Sequence, residues 1–198
     1  MLHLAMLRLS AILSFLLVLS LTGQAWAQDV DLDWGPVDLH GRIGVVHDGE
    51  MSLVRLGLMA GYLAGDGQGS GGLFWVVGPA ANFCLTGADL EDGTRDYYQG
   101  WSAGPEGRIG WAWGEGYRKA SIHLGLQPYF MQMFADSGRD FTAFGLRASV
   151  GFAYGHRLLG RRPEVFFLPN HIELVADVMR AGPFDELMHW GLSVGWGY

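Results

Sequence analysis

From Val37 onward, hydrophobic and polar positions alternate with a period of two, the repeat of a β-strand whose faces meet different surroundings. The last stretch is the most regular. Met188, Trp190, Leu192, Val194, Trp196 and Tyr198 share one face, and His189, Gly191, Ser193, Gly195 and Gly197 share the other. The same alternation marks Val37–Val45, Val54–Tyr62, Ala120–Phe130, Phe141–Tyr154 and Ile172–Val178. Two further stretches are less regular. Leu73–Cys84 is apolar on both faces and contains Pro79, which suits an edge or bulged strand. Tyr97–Trp113 keeps one parity, but Gly104-Pro105-Glu106-Gly107 carries turn chemistry and could divide it. About eight strands are therefore expected. Connections are expected at Asp48-Gly49, Gly65–Gly72, Thr86–Asp96, Glu115-Gly116, Ala135–Asp140, His156–Pro163 and Ala181–Glu186.

The first 36 residues follow another pattern. Arg8 precedes an apolar run from Leu9 to Leu21, and Ala25-Trp26-Ala27 provides the small residues of a signal-peptidase site. Residues 1–27 are thus expected to be a cleaved secretory signal peptide, 28–36 an acidic leader, and 37–198 one β-domain. No later stretch reaches 18 consecutive apolar residues, so no transmembrane helix is expected.

Composition decides which way the faces point. The chain is 49% hydrophobic and only 17% charged, with 31 glycines, and its mean hydropathy is +0.16. In a soluble sheet, the face opposite the core carries Lys, Glu and Thr. Here that face is mostly Gly, Ser and Ala with single charges, as in a narrow, crowded lumen. The aliphatic face then meets lipid, where an Arg or Lys at the midplane would cost about 2–4 kcal/mol. Tyr62, Trp101, Trp113, Tyr154, Trp190, Trp196 and Tyr198 fall on the aliphatic face, mostly near strand ends, as interfacial girdle residues do. The expected fold is an all-β, antiparallel up-and-down transmembrane barrel of about eight strands.

Residues 37–198 resemble the small bacterial outer-membrane β-barrels of the OmpA and OmpX type. The C-terminal strand carries the likeness most clearly: His189, Gly191, Val194 and Trp196 fit the pattern polar-x-Gly-x-x-hydrophobic-x-hydrophobic, and Tyr198 is the terminal aromatic. Leu126-Gln127-Pro128-Tyr129 is also similar to stretches common in these barrels. The resemblance implies an outer-membrane location, recognition of the last strand by the barrel-assembly machinery, and a structural role or recognition through the loops.

The chemistry expected inside is a charge network. Arg42, Arg55, Lys119, His123, Arg147, Glu173 and Asp177 all take the inward parity, and buried charges must pair. A side-chain plug is favoured over a narrow pore because eight strands leave an interior just wide enough for side chains. A soluble lipocalin-like barrel that turns its aliphatic face onto an apolar ligand is the alternative. Hydrolytic pairs are lacking: Ser121 with His123 and His189 with Ser193 share faces, but residues two apart stand about 7 Å apart, beyond direct bonding. The seven histidines show no zinc spacing, and Asp29, Asp31 and Asp33 lack the Gly and Glu of a calcium loop, so no cofactor is expected. An excess of 20 acidic over 13 basic residues argues against nucleic acid. The lone Cys84 forms no internal disulfide and reads as a buried thiol.

Overall fold

The computed structural model describes residues 37–48, 52–65, 71–89, 95–114, 120–154, 169–181 and 184–197. The expected signal peptide 1–27 and leader 28–36, together with Lys119 and Tyr198, lie outside these residues. Eight strands follow one another: β1 (Val37–His47), β2 (Ser52–Gly65), β3 (Gly71–Asp89), β4 (Arg95–Trp113), β5 (Ala120–Ala135), β6 (Phe141–Tyr154), β7 (His171–Ala181) and β8 (Phe184–Gly197). Each pairs antiparallel with the next, and β8 pairs back onto β1, so the sheet is a closed up-and-down barrel.

The register sets the size of the barrel. A row of partners starts at Ile109 on β4 and passes through Leu124, Val150, Leu174, Leu192, Val45, Val54 and Leu85. It returns to β4 at Gln99, ten residues from where it began. With about 3.3 Å per residue and 4.8 Å between strands, that stagger tilts the strands by roughly 40° and gives a backbone radius of about 8 Å. Side chains fill such an interior.

Three expectations about the strands change. Gly104–Gly107 is no turn: β4 runs unbroken from Arg95 to Trp113. Leu73–Cys84 is not an edge strand, because a closed barrel has no edge, and β3 extends to Asp89 between β2 and β4. The connection expected at Thr86–Asp96 shrinks accordingly, since both of its ends belong to this long hairpin. The prolines are accommodated where the ladder is locally interrupted. The β2–β3 pairing skips from Met59↔Ala80 to Tyr62↔Val77, around Pro79. The β4–β5 pairing skips from Ala103↔Phe130 to Gly107↔Leu126, around Pro105 and Pro128. A residue without an N–H fits such gaps.

The faces have the predicted parity. Leu58, Ile109, Leu124, Leu146, Leu174 and Leu192 are exposed on the outside, and Arg42, Arg55, Glu106, Arg147, Glu173 and Asp177 are buried inside. The interior is less uniformly polar than expected. Val46, Leu53, Met131, Met133, Phe141 and Met179 form an apolar cluster towards the β1–β2 end. Met59, Leu63, Val76 and Ala80 form a smaller one on β2 and β3 towards the other end. β5 continues to Ala135 rather than ending at Phe130, and this brings Met131 and Met133 into the interior.

Close packing of β2 on β3 gives a direct test of the register. A Cβ on Gly78 would lie 2.0 Å from the Ala60 carbonyl oxygen, whereas one on Gly107 would meet nothing within 4 Å. Gly78→Ala is expected to lower stability by about 1–3 kcal/mol, and Gly107→Ala to stay within about 0.5 kcal/mol. Urea titration of the refolded chain measures both, and equal midpoints would contradict this seam.

Candidate functional site in the barrel interior

The chemistry-bearing side chains project inward because their parity puts them opposite the aliphatic row. Arg42 from β1 forms a two-pronged pair with Glu106 from β4, Nη1 to Oε1 at 2.9 Å and Nη2 to Oε2 at 2.6 Å. Its Nη2 also donates to Gln127 Oε1 at 3.0 Å. Arg108 donates through Nε to Glu106 Oε1 at 2.8 Å. Arg147 from β6 donates to Glu173 Oε2 at 3.3 Å, and Arg108 Nη2 lies 3.5 Å from Glu173 Oε1. Four residues further along β7, towards the β1–β2 end, Arg55 Nη2 pairs with Asp177 Oδ2 at 2.7 Å. Tyr129 joins that pair: it accepts from Arg55 at 3.0 Å and donates to Asp177 Oδ1 at 2.6 Å.

These groups are 5% exposed or less. Removing an ion from water costs several kcal/mol even after relaxation, so the arrangement requires a partner for each charge. Arg42, Arg55, Arg108 and Arg147 share the interior with Asp38, Glu106, Glu173 and Asp177, and Asp96 is a fifth buried carboxylate towards the β1–β2 end. Glycine provides the space for the large members. A Cβ on Gly145 would lie 2.3 Å from the Tyr129 ring, so β6 must be bare where β5 sends its tyrosine across.

A second group lies towards the end of the barrel where β5 and β7 begin. His123 Nε2 and His171 Nε2 are 3.1 Å apart. Each lies 3.4 Å from Glu173 Oε1. Behind them, His40 Nε2 contacts His171 Nδ1. The donor atoms of His123, His171 and Glu173 are of the kind and spacing that can hold a metal ion.

Of the charged residues expected inside, Arg42, Arg55, His123, Arg147, Glu173 and Asp177 are brought together as interacting neighbours. The sequence reading missed Glu106, Arg108, His171 and Tyr129 as members. Glu106 and Arg108 were hidden by the supposed turn, although their parity, opposite to Trp101 and Ile109, marks them as inward. His171 has the parity of Glu173 and stands one residue before the stretch recognised as β7.

The remaining candidates fall elsewhere. Tyr62, Trp101, Trp113, Tyr154 and Trp190 are 43–61% exposed on the outer face. Trp75, 43% exposed and 5.9 Å ring to ring from Tyr62, joins them from the stretch that looked irregular. On β8, His189 is buried with Nε2 3.2 Å from Asp48 Oδ2, and Val194 and Trp196 take the outward parity. The hydrolytic pairs do not form, since Ser193 Oγ donates to the Ile43 carbonyl and His123 turns to His171 and Glu173.

Arg55 tests how far the network depends on pairing. Arg55→Ala leaves Asp177 buried without its cation and is expected to cost about 3–5 kcal/mol, whereas Arg55→Met combined with Asp177→Leu is expected to be near neutral. The measurement is the urea midpoint of each refolded variant. A double variant no better than the single would show that Tyr129, and not charge pairing, organises this end.

A comparison of the sequence with protein-family models and with curated proteins gives no match.

Proposed function

We propose that this chain is an integral outer-membrane barrel protein with a filled, non-conducting interior, acting as a structural element of the envelope or through its loops. The observation that carries the reading is the outer face. An aliphatic belt runs around the barrel through Ile109, Leu124, Val150, Leu174, Leu192 and Val45, all 45% exposed or more. A soluble monomer rarely exposes a continuous apolar patch beyond a few hundred Å². Strands of 11 to 19 residues reach or exceed the 9–11 that a tilted membrane strand needs.

Aromatic side chains flank the belt on both sides. Tyr62, Trp111, Trp113 and Tyr154 cluster at one end, and Tyr97, Trp101 and Trp190 lie towards the other. Two such girdles match the two lipid–water boundaries. Outer-membrane lipid is then the main partner, and β8, with His189, Gly191, Val194 and Trp196, is the segment the assembly machinery would read. A lipocalin-like role needs the aliphatic face inside, but Leu146, Val150 and Leu192 stand outside. A pore needs a continuous water path, but the arginine–carboxylate network and the apolar cluster above it occupy the bore.

Leu174, 64% exposed, separates membrane from water as the surrounding medium. On a water-facing surface Leu174→Arg changes stability by less than about 0.5 kcal/mol. Facing lipid, it is expected to cost about 2–4 kcal/mol in bilayer refolding titrations. The chain is also expected in the membrane fraction, with a heat-modifiable gel shift and no discrete events in planar bilayers. Recovery as a soluble periplasmic protein would overturn the membrane reading, and stepwise conductance would overturn the filled interior.

A further inference from the structure

We propose that His123, His171 and Glu173 form a binding site for one divalent transition-metal ion of the zinc class, clamping β5 to β7 across β6. The site uses the inner wall alone, so it stands or falls independently of what surrounds the barrel.

The geometry of the donors carries the argument. His123 Nε2, His171 Nε2 and Glu173 Oε1 converge from two strands, with mutual separations of 3.1, 3.4 and 3.4 Å. An ion at about 2.0–2.1 Å from nitrogen and 2.0–2.2 Å from oxygen, in tetrahedral array, sets its donors about 3.3–3.5 Å apart. With the imidazole proton of each histidine on Nδ1, both Nε2 lone pairs and Glu173 Oε1 face the same point. Each neutral imidazole carries one N–H, and His171 already has its other nitrogen against His40. In that tautomer the three donor atoms converge on one point that a cation can occupy.

The surroundings orient the ligands. His40 Nε2 against His171 Nδ1 fixes the ring so that His171 presents Nε2 to the centre. Arg147 takes Glu173 Oε2 at 3.3 Å and leaves Oε1 turned to the histidines. Gly151 lies between them, paired with His123 on one side and Glu173 on the other. A Cβ there would come within 2.3 Å of His123 Nε2 and 3.0 Å of His171 Nε2. The bare backbone of β6 is what lets ligands from β5 and β7 meet. Two imidazoles and one carboxylate suit zinc, cobalt or nickel rather than calcium or magnesium, which take oxygen ligands. Three protein ligands leave a fourth position for water. Arg108 Nη2, 3.5 Å from Glu173 Oε1, opposes the ion and moderates its affinity.

The test is Co²⁺ binding to the full chain refolded in detergent micelles, followed by visible absorption and by metal analysis after removal of free ion. One Co²⁺ per chain is expected, with the spectrum of a low-coordinate site, displaced by Zn²⁺ and unaffected by excess Mg²⁺. His123→Gln and His171→Gln are expected to weaken binding more than about 100-fold, and His40→Ala by about 10–100-fold. His47→Ala, at an exposed residue bonded to Ser52, is expected to change nothing. Circular dichroism confirms that each variant has folded. A folded parent that binds no more Co²⁺ than the folded His123→Gln/His171→Gln double variant would overturn the proposal. So would displacement by Mg²⁺ or Ca²⁺.

Discussion

Among the described residues, four buried guanidiniums and five buried carboxylates belong to a barrel about 8 Å in radius, with apolar side chains packed towards either end. Water cannot solvate charges held this way, so each needs a counter-ion within the bore. This requirement couples strands that are not neighbours in the sheet. Arg42 on β1 reaches Glu106 on β4, and Arg55 on β2 reaches Asp177 on β7. The hydrogen-bonded ladder closes the wall, and the ion network ties opposite sides of the wall together. Such pairs contribute little net stability over a well-packed apolar filling, but a mispaired one is costly. They therefore favour one register: sliding a strand by one residue would turn its charges outward and its aliphatics in.

The same constraint distributes residue sizes. Where one strand sends a large side chain across, a neighbour must be bare. Tyr129 passes over Gly145, Arg42 packs against Gly57, and His123 occupies the space left by Gly151. The 31 glycines that set this composition apart are thus partly the counterpart of the large inward groups. Among the described residues, most glycines lie along the strands rather than in turns.

The sheet and its inside–outside parity were legible because alternation is local and each strand declares its own phase. The cases of Pro79 and Gly104–Gly107 show the limit of that reading. Proline and glycine are turn residues when judged on their neighbours alone, yet here they fill gaps in the ladder inside long strands. Only closure of the barrel, which supplies partners on both sides, makes that possible. Misreading that stretch removed Glu106 and Arg108 from the expected network, although their parity was visible. Partner choice was legible only in outline. Parity says that Arg147 points inward; that it meets Glu173 depends on the register between β6 and β7, which neither strand encodes alone.

The histidine cluster shows the same limit at the level of chemistry. His40, His123 and His171 belong to β1, β5 and β7, so no spacing rule along the chain relates them. Their meeting depends on three separate facts: equal inward parity, the register that sets His123 and Glu173 on either side of Gly151, and the missing Cβ at that glycine. Spacing motifs for metal sites are drawn from ligands carried on one helix or one short loop. In a staggered barrel, the corresponding rule runs across the strands. A donor on one strand faces a glycine on the next and a second donor on the strand beyond. The sequence contains that pattern only after the strands have been aligned.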